Sequence, residues 1–179
     1  MLKRIRGFTL IELLIVVAIL GILAALLIPN AITAIQKAKQ KATMKSIATI
    51  STAIADYITD NGIAPPNSGI YTGSAAFYTA ICPFYIKVLP ITDQWGTSFN
   101  VWCGDAAAKY GILAPNLDDF LISSFGRNKL EEGFSFDPLN PEAGMYIVSK
   151  GEDFNNDIIM WNGNWIHAPK TAQSTTPAP

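Results

Sequence analysis

An α+β fold follows from three features of this 179-residue chain. A long helical stretch, free of Gly and Pro from Ala31 to Tyr57, lies in the N-terminal third, and short apolar segments separated by Gly, Pro and Asn follow it. Asn162-Gly163, the strongest hairpin signal in the chain, sits between two apolar runs. One long α-helix packed on a small antiparallel β-sheet satisfies all three. Charged residues make up only 15% of the chain, against roughly 25% in typical soluble domains. With 13 Lys+Arg against 14 Asp+Glu and a pI near 5.7, a strongly basic nucleic-acid binder is excluded. Disorder, collagen and a dense disulfide scaffold are excluded as descriptions of the whole chain.

The low charge is concentrated in one place. Residues 1–7 carry Lys3, Arg4 and Arg6 and no acid, and Phe8 to Ile28 follows with Glu12 as its single charge. As a helix this apolar run spans roughly 31 Å, the thickness of a hydrocarbon core. The leading cations favour a cytoplasmic N-terminus; Lys37, Lys39, Lys41 and Lys45 weaken the asymmetry but begin well past Ile28. An ordinary secretory signal would be shorter and end in a small-residue cleavage site, which the sequence after Pro29 does not offer. Glu12 is costly in lipid and implies a partner; the alternative is a carboxyl that snorkels or stays protonated in a lone helix.

Gly7-Phe8-Thr9-Leu10-Ile11-Glu12-Leu13-Leu14, with basic residues before it and an apolar helix after it, resembles the type III signal of type IV pilins and pseudopilins. The resemblance implies a pilin-like fold and cleavage by a prepilin peptidase between Gly7 and Phe8, with N-methylation of Phe8. It also implies polymerisation in which the Phe8 amine pairs with Glu12 of a neighbouring subunit. Removing Lys3, Arg4 and Arg6 from 13 basic residues leaves 10 against 14 acidic ones, a net charge of −4.

From Ala31 to Tyr57 there is no Gly or Pro, and Ile47, Ile50, Ile54 and Tyr57 form an apolar stripe. Lys37, Lys41 and Lys45 form an opposite ladder, read as a solvated face, with a contact to anionic lipid or a partner as the alternative. Pro29 kinks or loosens the helix, and Asp60-Asn61-Gly62 with Pro65-Pro66 ends it. The expected parts are a leader at 1–7, a membrane and filament-core helix at 8–28, its amphipathic continuation at 29–61, a head at 62–168 and a flexible tail at 169–179.

In the head, Ser74 to Ile81 reads as a short helix capped by Ser74. Ser98 to Cys103, Met145 to Ser149, Ile158 to Trp161 and Asn164 to His167 read as strands. Leu117 to Phe125 is ambiguous between helix and strand, with Asn116 as a candidate N-cap. Asp56 to Pro66, Lys87-Val88-Leu89-Pro90 and Asp93-Gln94-Trp95-Gly96 resemble the major, G-type pseudopilin of type II secretion systems, with Gln94 where that family has proline. Tyr146 through Trp165 resembles its calcium loop and final strand. Gly104 to Gly144 does not match that family well.

Asp153-Phe154-Asn155-Asn156-Asp157 offers oxygens at alternating positions, suited to Ca²⁺. Ile158 and Asn164 at the positions of the invariant glycine and final glutamate exclude a standard EF-hand. By the resemblance, Ser149, Asp153 and Asp157 are the side-chain calcium ligands, with Asn156 a further one; the alternative is a solvated Asx-rich turn. Cys82 and Cys103 are the only cysteines. An oxidising periplasm favours a disulfide between them over two buried thiols, contributing roughly 3 kcal/mol. His167, the sole histidine, reads as a mobile surface residue, and Trp95, Trp102, Trp161 and Trp165 as core and hairpin packing. No catalytic or phosphate-binding motif appears.

The chain is therefore expected to be a non-enzymatic filament subunit of a type II secretion pseudopilus, without a nucleic-acid partner. By resemblance its partners are other copies of itself, minor pseudopilins or pilins, the prepilin peptidase, an inner-membrane platform protein and an assembly ATPase. It would wait in the bacterial inner membrane, head in the periplasm, before assembly. A type IV pilin for adhesion, motility or DNA uptake is the alternative, followed by a single-pass anchored periplasmic enzyme or binding protein.

Overall fold

The computed structural model describes residues 8–170; the leader 1–7, Gly7 included, and tail residues 171–179 lie outside the described residues. The chain divides into two units, Met1–Lys37 and Ala38–Pro179, and helix α1 (Leu10–Asn61) contributes to both. The helix continues through Pro29 as one element. Proline lacks the N–H that would bond the carbonyl four residues back. Around it, the Asn30 amide donates to Leu26 O (3.2 Å) and the Thr33 hydroxyl to Pro29 O (3.1 Å).

In the first unit every residue from Phe8 to Ile35 is exposed. α1 is, among the described residues, the one helix long and apolar enough to cross a membrane. A helix apolar all round with nothing packed on it needs lipid or neighbouring helices as its surroundings.

In the second unit α1 turns amphipathic as expected. Ile47, Ile50 and Ile54 are fully buried, and Tyr57 meets Tyr85 edge-on at 5.5 Å. Gly62 closes the helix at φ 74°, where its N–H reaches Ile58 O at 2.7 Å. The rest of the head is strand β1 (Ser68–Ile70), helix α2 (Ala76–Ile81), β2 (Asn100–Cys103), β3 (Phe120–Ser124), β4 (Met145–Tyr146), β5 (Ile158–Trp161) and β6 (Asn164–Pro169). The strand order is β1-β2-β3-β5-β6-β4. All neighbours pair antiparallel except β4 with β6, so the architecture is the expected one, a long helix on a mainly antiparallel sheet, with one short parallel pairing at its edge.

Alternation along the strands builds two cores. Val101 and Cys103, Phe120 and Ile122, and Ile158 and Met160 point to one face and pack with Ile47, Ile50 and Ile54 of α1. Trp102, Leu121, Ile159 and Ile166 point to the other, where Ala107, Tyr110, Ile112, Phe134 and Phe136 cover them. Gly104 to Gly144, apart from β3, is thus largely a covering layer on the sheet face opposite α1. The four tryptophans pack in or against these cores, as expected.

Several expectations are corrected. Helix α2 begins at Ala76 without a side-chain cap, and Ser74 Oγ lies 3.3 Å from Thr72 Oγ1 instead. Of Leu117 to Phe125, Phe120–Ser124 is strand β3, and Leu117 and Asp118 are a turn before it. Asn116 is no N-cap, since no helix begins there; its N–H donates to Asp119 Oδ2 at 2.8 Å in the turn before the strand. Strand β6 runs into the expected tail: Ala168 is fully buried, and Lys170 pairs with Glu142 at 2.7 Å. The hairpin is as expected: Asn162 (φ 46°) and Gly163 (φ 81°) make the turn, with Trp161 opposite Asn164.

Candidate functional site

The first candidate site is the start of α1. Thr9 precedes the first helical residue, and Glu12 stands three positions later. The Thr9 hydroxyl accepts from Glu12 N (3.3 Å), while the Glu12 carboxylate accepts from Thr9 N (2.8 Å) and from the Thr9 hydroxyl (2.6 Å). This is a capping box, which satisfies helix-end donors reciprocally. Both Thr9 donors reach the same oxygen, Oε2. The box aims the acid toward the chain end where cleavage would free the Phe8 amine. Thr9 was not singled out from the sequence, although Thr-x-x-Glu before an apolar run is a readable signal.

The second is the acidic loop before β5. Asp153 Oδ2 accepts from the N–H groups of Ser149 and Lys150, both at 2.6 Å, and so ties the 3₁₀ turn Gly151–Asn155 to its approach. These bonds hold its carboxyl below the usual range. Asn155 Oδ1 accepts from Arg127 Nε at 3.0 Å. Asp157 is fully buried: Oδ2 accepts from Glu132 N (2.9 Å), while buried Oδ1 has no hydrogen-bond partner. Burial, reinforced by Glu132 and Glu131, pushes its carboxyl up to about 7. Ser149 is exposed, and Asn156 is half-buried beside Asp157. Among the described residues, no three His, Cys, Asp or Glu side chains are grouped to hold a metal. A buried carboxylate oxygen without a partner nonetheless suits a hard cation.

Cys82 and Cys103 are free thiols in this structure rather than a disulfide. Cys103 is buried in β2 and its thiol is pushed up to about 12 by that burial; Cys82, at the end of α2, is half-buried. His167 is not a mobile surface residue. It is half-buried in β6, its ring 4.4 Å from that of Phe134 and 5.2 Å from that of Tyr146, and burial holds its imidazole below the usual value.

Asp93-Gln94-Trp95-Gly96 is a side-chain-tied turn. Buried Asp93 accepts from Trp95 N and Thr97 N through Oδ1 (2.9 Å each) and from the Ser124 hydroxyl of β3 through Oδ2 (2.7 Å). The Gln94 N–H donates to buried Thr43 Oγ1 on α1 at 3.3 Å. A proline at position 94 has no N–H to give, so glutamine makes a link from turn to helix.

Comparison with known proteins agrees with these features. The prokaryotic N-terminal methylation motif matches residues 2–28. The type II secretion system core protein G of Aeromonas hydrophila is 32% identical over 123 residues, covering 65% of this chain and 85% of that protein. That of Pseudomonas aeruginosa is 36% identical over 104 residues, covering 54% and 72%. The type IV major fimbrial protein FimA of Dichelobacter nodosus is 32% identical over 123 residues, covering 69% and 72%. Against other core protein G relatives, such as that of Vibrio cholerae, the chain spans less than half their length, there 44%. No solved structure matches the chain. The chain belongs to the family of N-methylated pilins and pseudopilins that includes the type II secretion core protein G.

Proposed function

We propose that the chain is a structural subunit of a type II secretion pseudopilus, cleaved after Gly7, methylated at Phe8 and polymerised through α1. The observation that carries this reading is the fully exposed apolar half of α1, with Glu12 aimed by Thr9 at the future chain end. Once cut, the Phe8 amine of one subunit pairs with Glu12 of the next. Helices already in lipid gain little from further apolar burial, so packing and this pair supply register. The head faces the periplasm before assembly, and a prepilin peptidase, platform protein and assembly ATPase act on the subunit. The head motif around Asp93 favours secretion over a type IV pilus, and no step calls for catalysis by the chain itself.

The test is intact-mass spectrometry of protein from membranes with an active prepilin peptidase. The chain should begin at Phe8, lighter than the precursor by seven residues and heavier by one methyl group than plain cleavage leaves it. An intact Met1 terminus sinks the processing claim.

Calcium belongs to the same proposal, supported by the partnerless Asp157 Oδ1. Asp157 and Asp153 would hold the ion with nearby backbone oxygens, and it would supply the counter-charge that Asp157 lacks. The thermal midpoint should rise by several degrees with millimolar Ca²⁺ and fall in chelator, since a ligand bound only by the native state stabilises by about 2.7 kcal/mol at 100 times its Kd. Asp157→Asn should erase that difference. Equal midpoints for the unsubstituted protein would leave the loop an Asx-rich turn.

A further inference from the structure

The side of α1 turned away from the core carries charge of two signs at separate heights. Lys41 and Lys45 are exposed on it, and Asp56 and Asp60 are exposed further along the same helix. At 100° per residue these four fall within about 100° of arc, opposite buried Ile47, Ile50 and Ile54. Among the described residues neither Lys41, Lys45 nor Asp56 has a salt bridge; the two bridges present are Lys109–Glu131 and Lys170–Glu142.

Asp56 also lines a groove of about 260 Å³ with Thr49, Thr52, Ala53, Tyr85 and Ile86. Tyr85 is fixed there by its hydroxyl, which donates to Asp60 Oδ2 at 3.1 Å, and by edge-on contact with Tyr57. The groove thus offers an aromatic and aliphatic wall with one unpaired carboxylate. That combination fits a lysine, whose methylene stem packs on apolar surface while its ammonium reaches an acid or an aromatic face.

We propose that this groove receives Lys41 or Lys45 from a second copy of the chain, lying parallel and displaced along the helix axis. Lys45 and Lys41 precede Asp56 by about 16 and 22 Å at the helical rise, which sets the scale of the displacement. With the copies parallel and displaced along the axis, the lysine of one meets the socket of the next without the reverse contact, so the interface is heterologous. Each copy accepts a lysine from one neighbour and offers its own to another, and such a contact does not close on itself. It yields an open linear assembly. The proposal rests on the filament reading above and adds to it a register-setting contact in the head, outside the apolar part of α1.

The experiment is charge reversal in the full-length chain, expressed with its assembly machinery and scored by filaments sheared from cells. Asp56→Lys alone, and Lys41→Glu with Lys45→Glu, should each reduce filaments about tenfold or more, since like charges then face each other at the contact. All three together should restore them. The thermal midpoint should stay unchanged in every variant, because the altered side chains are exposed. A Lys45→Cys/Asp56→Cys chain, treated in membranes with a short bifunctional maleimide, should give a ladder of head-to-tail oligomers. Filaments undiminished by the reversals, while Glu12→Ala abolishes them, would overturn this contact and leave the filament reading standing. Loss with the lysine reversals but not with Asp56→Lys assigns the lysines to another partner and also overturns it. If no variant assembles, the filament reading itself is in question. The membrane cross-link then decides the contact, and absence of the ladder refutes it.

Discussion

Glu12→Ala abolishes filaments and leaves the protein in the membrane. Within one chain the carboxylate completes the Thr9 capping box, and losing that box costs about 1 kcal/mol of helix-end stability. In the proposed filament it would also face the Phe8 amine of a neighbour. Removing it there leaves a cation unpaired in low dielectric, typically about 3–5 kcal/mol per contact when such a pair is buried. The second loss dominates, and it recurs at every subunit. Thr9→Ala, which keeps the charge but loosens its aim, should reduce assembly without abolishing it. Glu12→Gln keeps a hydrogen-bond acceptor for Thr9 without the charge, so it should assemble as poorly as Glu12→Ala. Membrane fractionation with quantification of sheared filaments reads all three. Normal filaments from Glu12→Gln would mean that capping, and not charge, is what assembly requires.

What could be read in advance depended on how many faces an element shows to water. Helix α1 was legible because its first part, Phe8 to Ile28, is one apolar run as long as a hydrocarbon core is thick, and its second carries a periodic stripe at Ile47, Ile50 and Ile54. The β5–β6 hairpin was legible because Asn162-Gly163 carries a local conformational demand that few other pairs meet. Strand β3 was not, since all five of its residues are buried and a run buried on both faces has no alternation to read. The covering layer was hidden for a related reason. Tyr110, Phe134 and Phe136 reach the sheet from irregular loops, where spacing encodes nothing about which face a side chain meets. His167 was misjudged because Phe134 reaches it from such a loop and Tyr146 from the two-residue strand β4, too short to announce its pairing with β6. At the candidate sites, Glu12 was legible as an expensive charge, whereas its local partner Thr9 was overlooked beside the more costly intermolecular one.

Asp93→Ala should be the most damaging single change in the head. Three donors converge on that buried carboxylate: Trp95 N, Thr97 N and the fully buried Ser124 hydroxyl. Each donor left without an acceptor inside the protein costs about 1–3 kcal/mol, so the sum approaches the whole stability of a typical domain, about 5–15 kcal/mol. Alanine also leaves a void in the turn that joins β3 to the helix side of the head. Asp93→Asn keeps Oδ1 for the two backbone donors and changes only the partner of Ser124, so it should cost about 1–2 kcal/mol. Gln94→Pro separates the turn from its link to α1. It deletes the single bond to Thr43 Oγ1 and should cost about 1 kcal/mol, offset in part by the stiffer unfolded chain. Thermal melts of the full-length protein in detergent, followed by near-ultraviolet signals from the head tryptophans, should rank the three as Ala well below Asn, with Asn at or below Pro. An Asp93→Ala midpoint within a degree or two of the unsubstituted protein would show that the turn is held by its backbone alone.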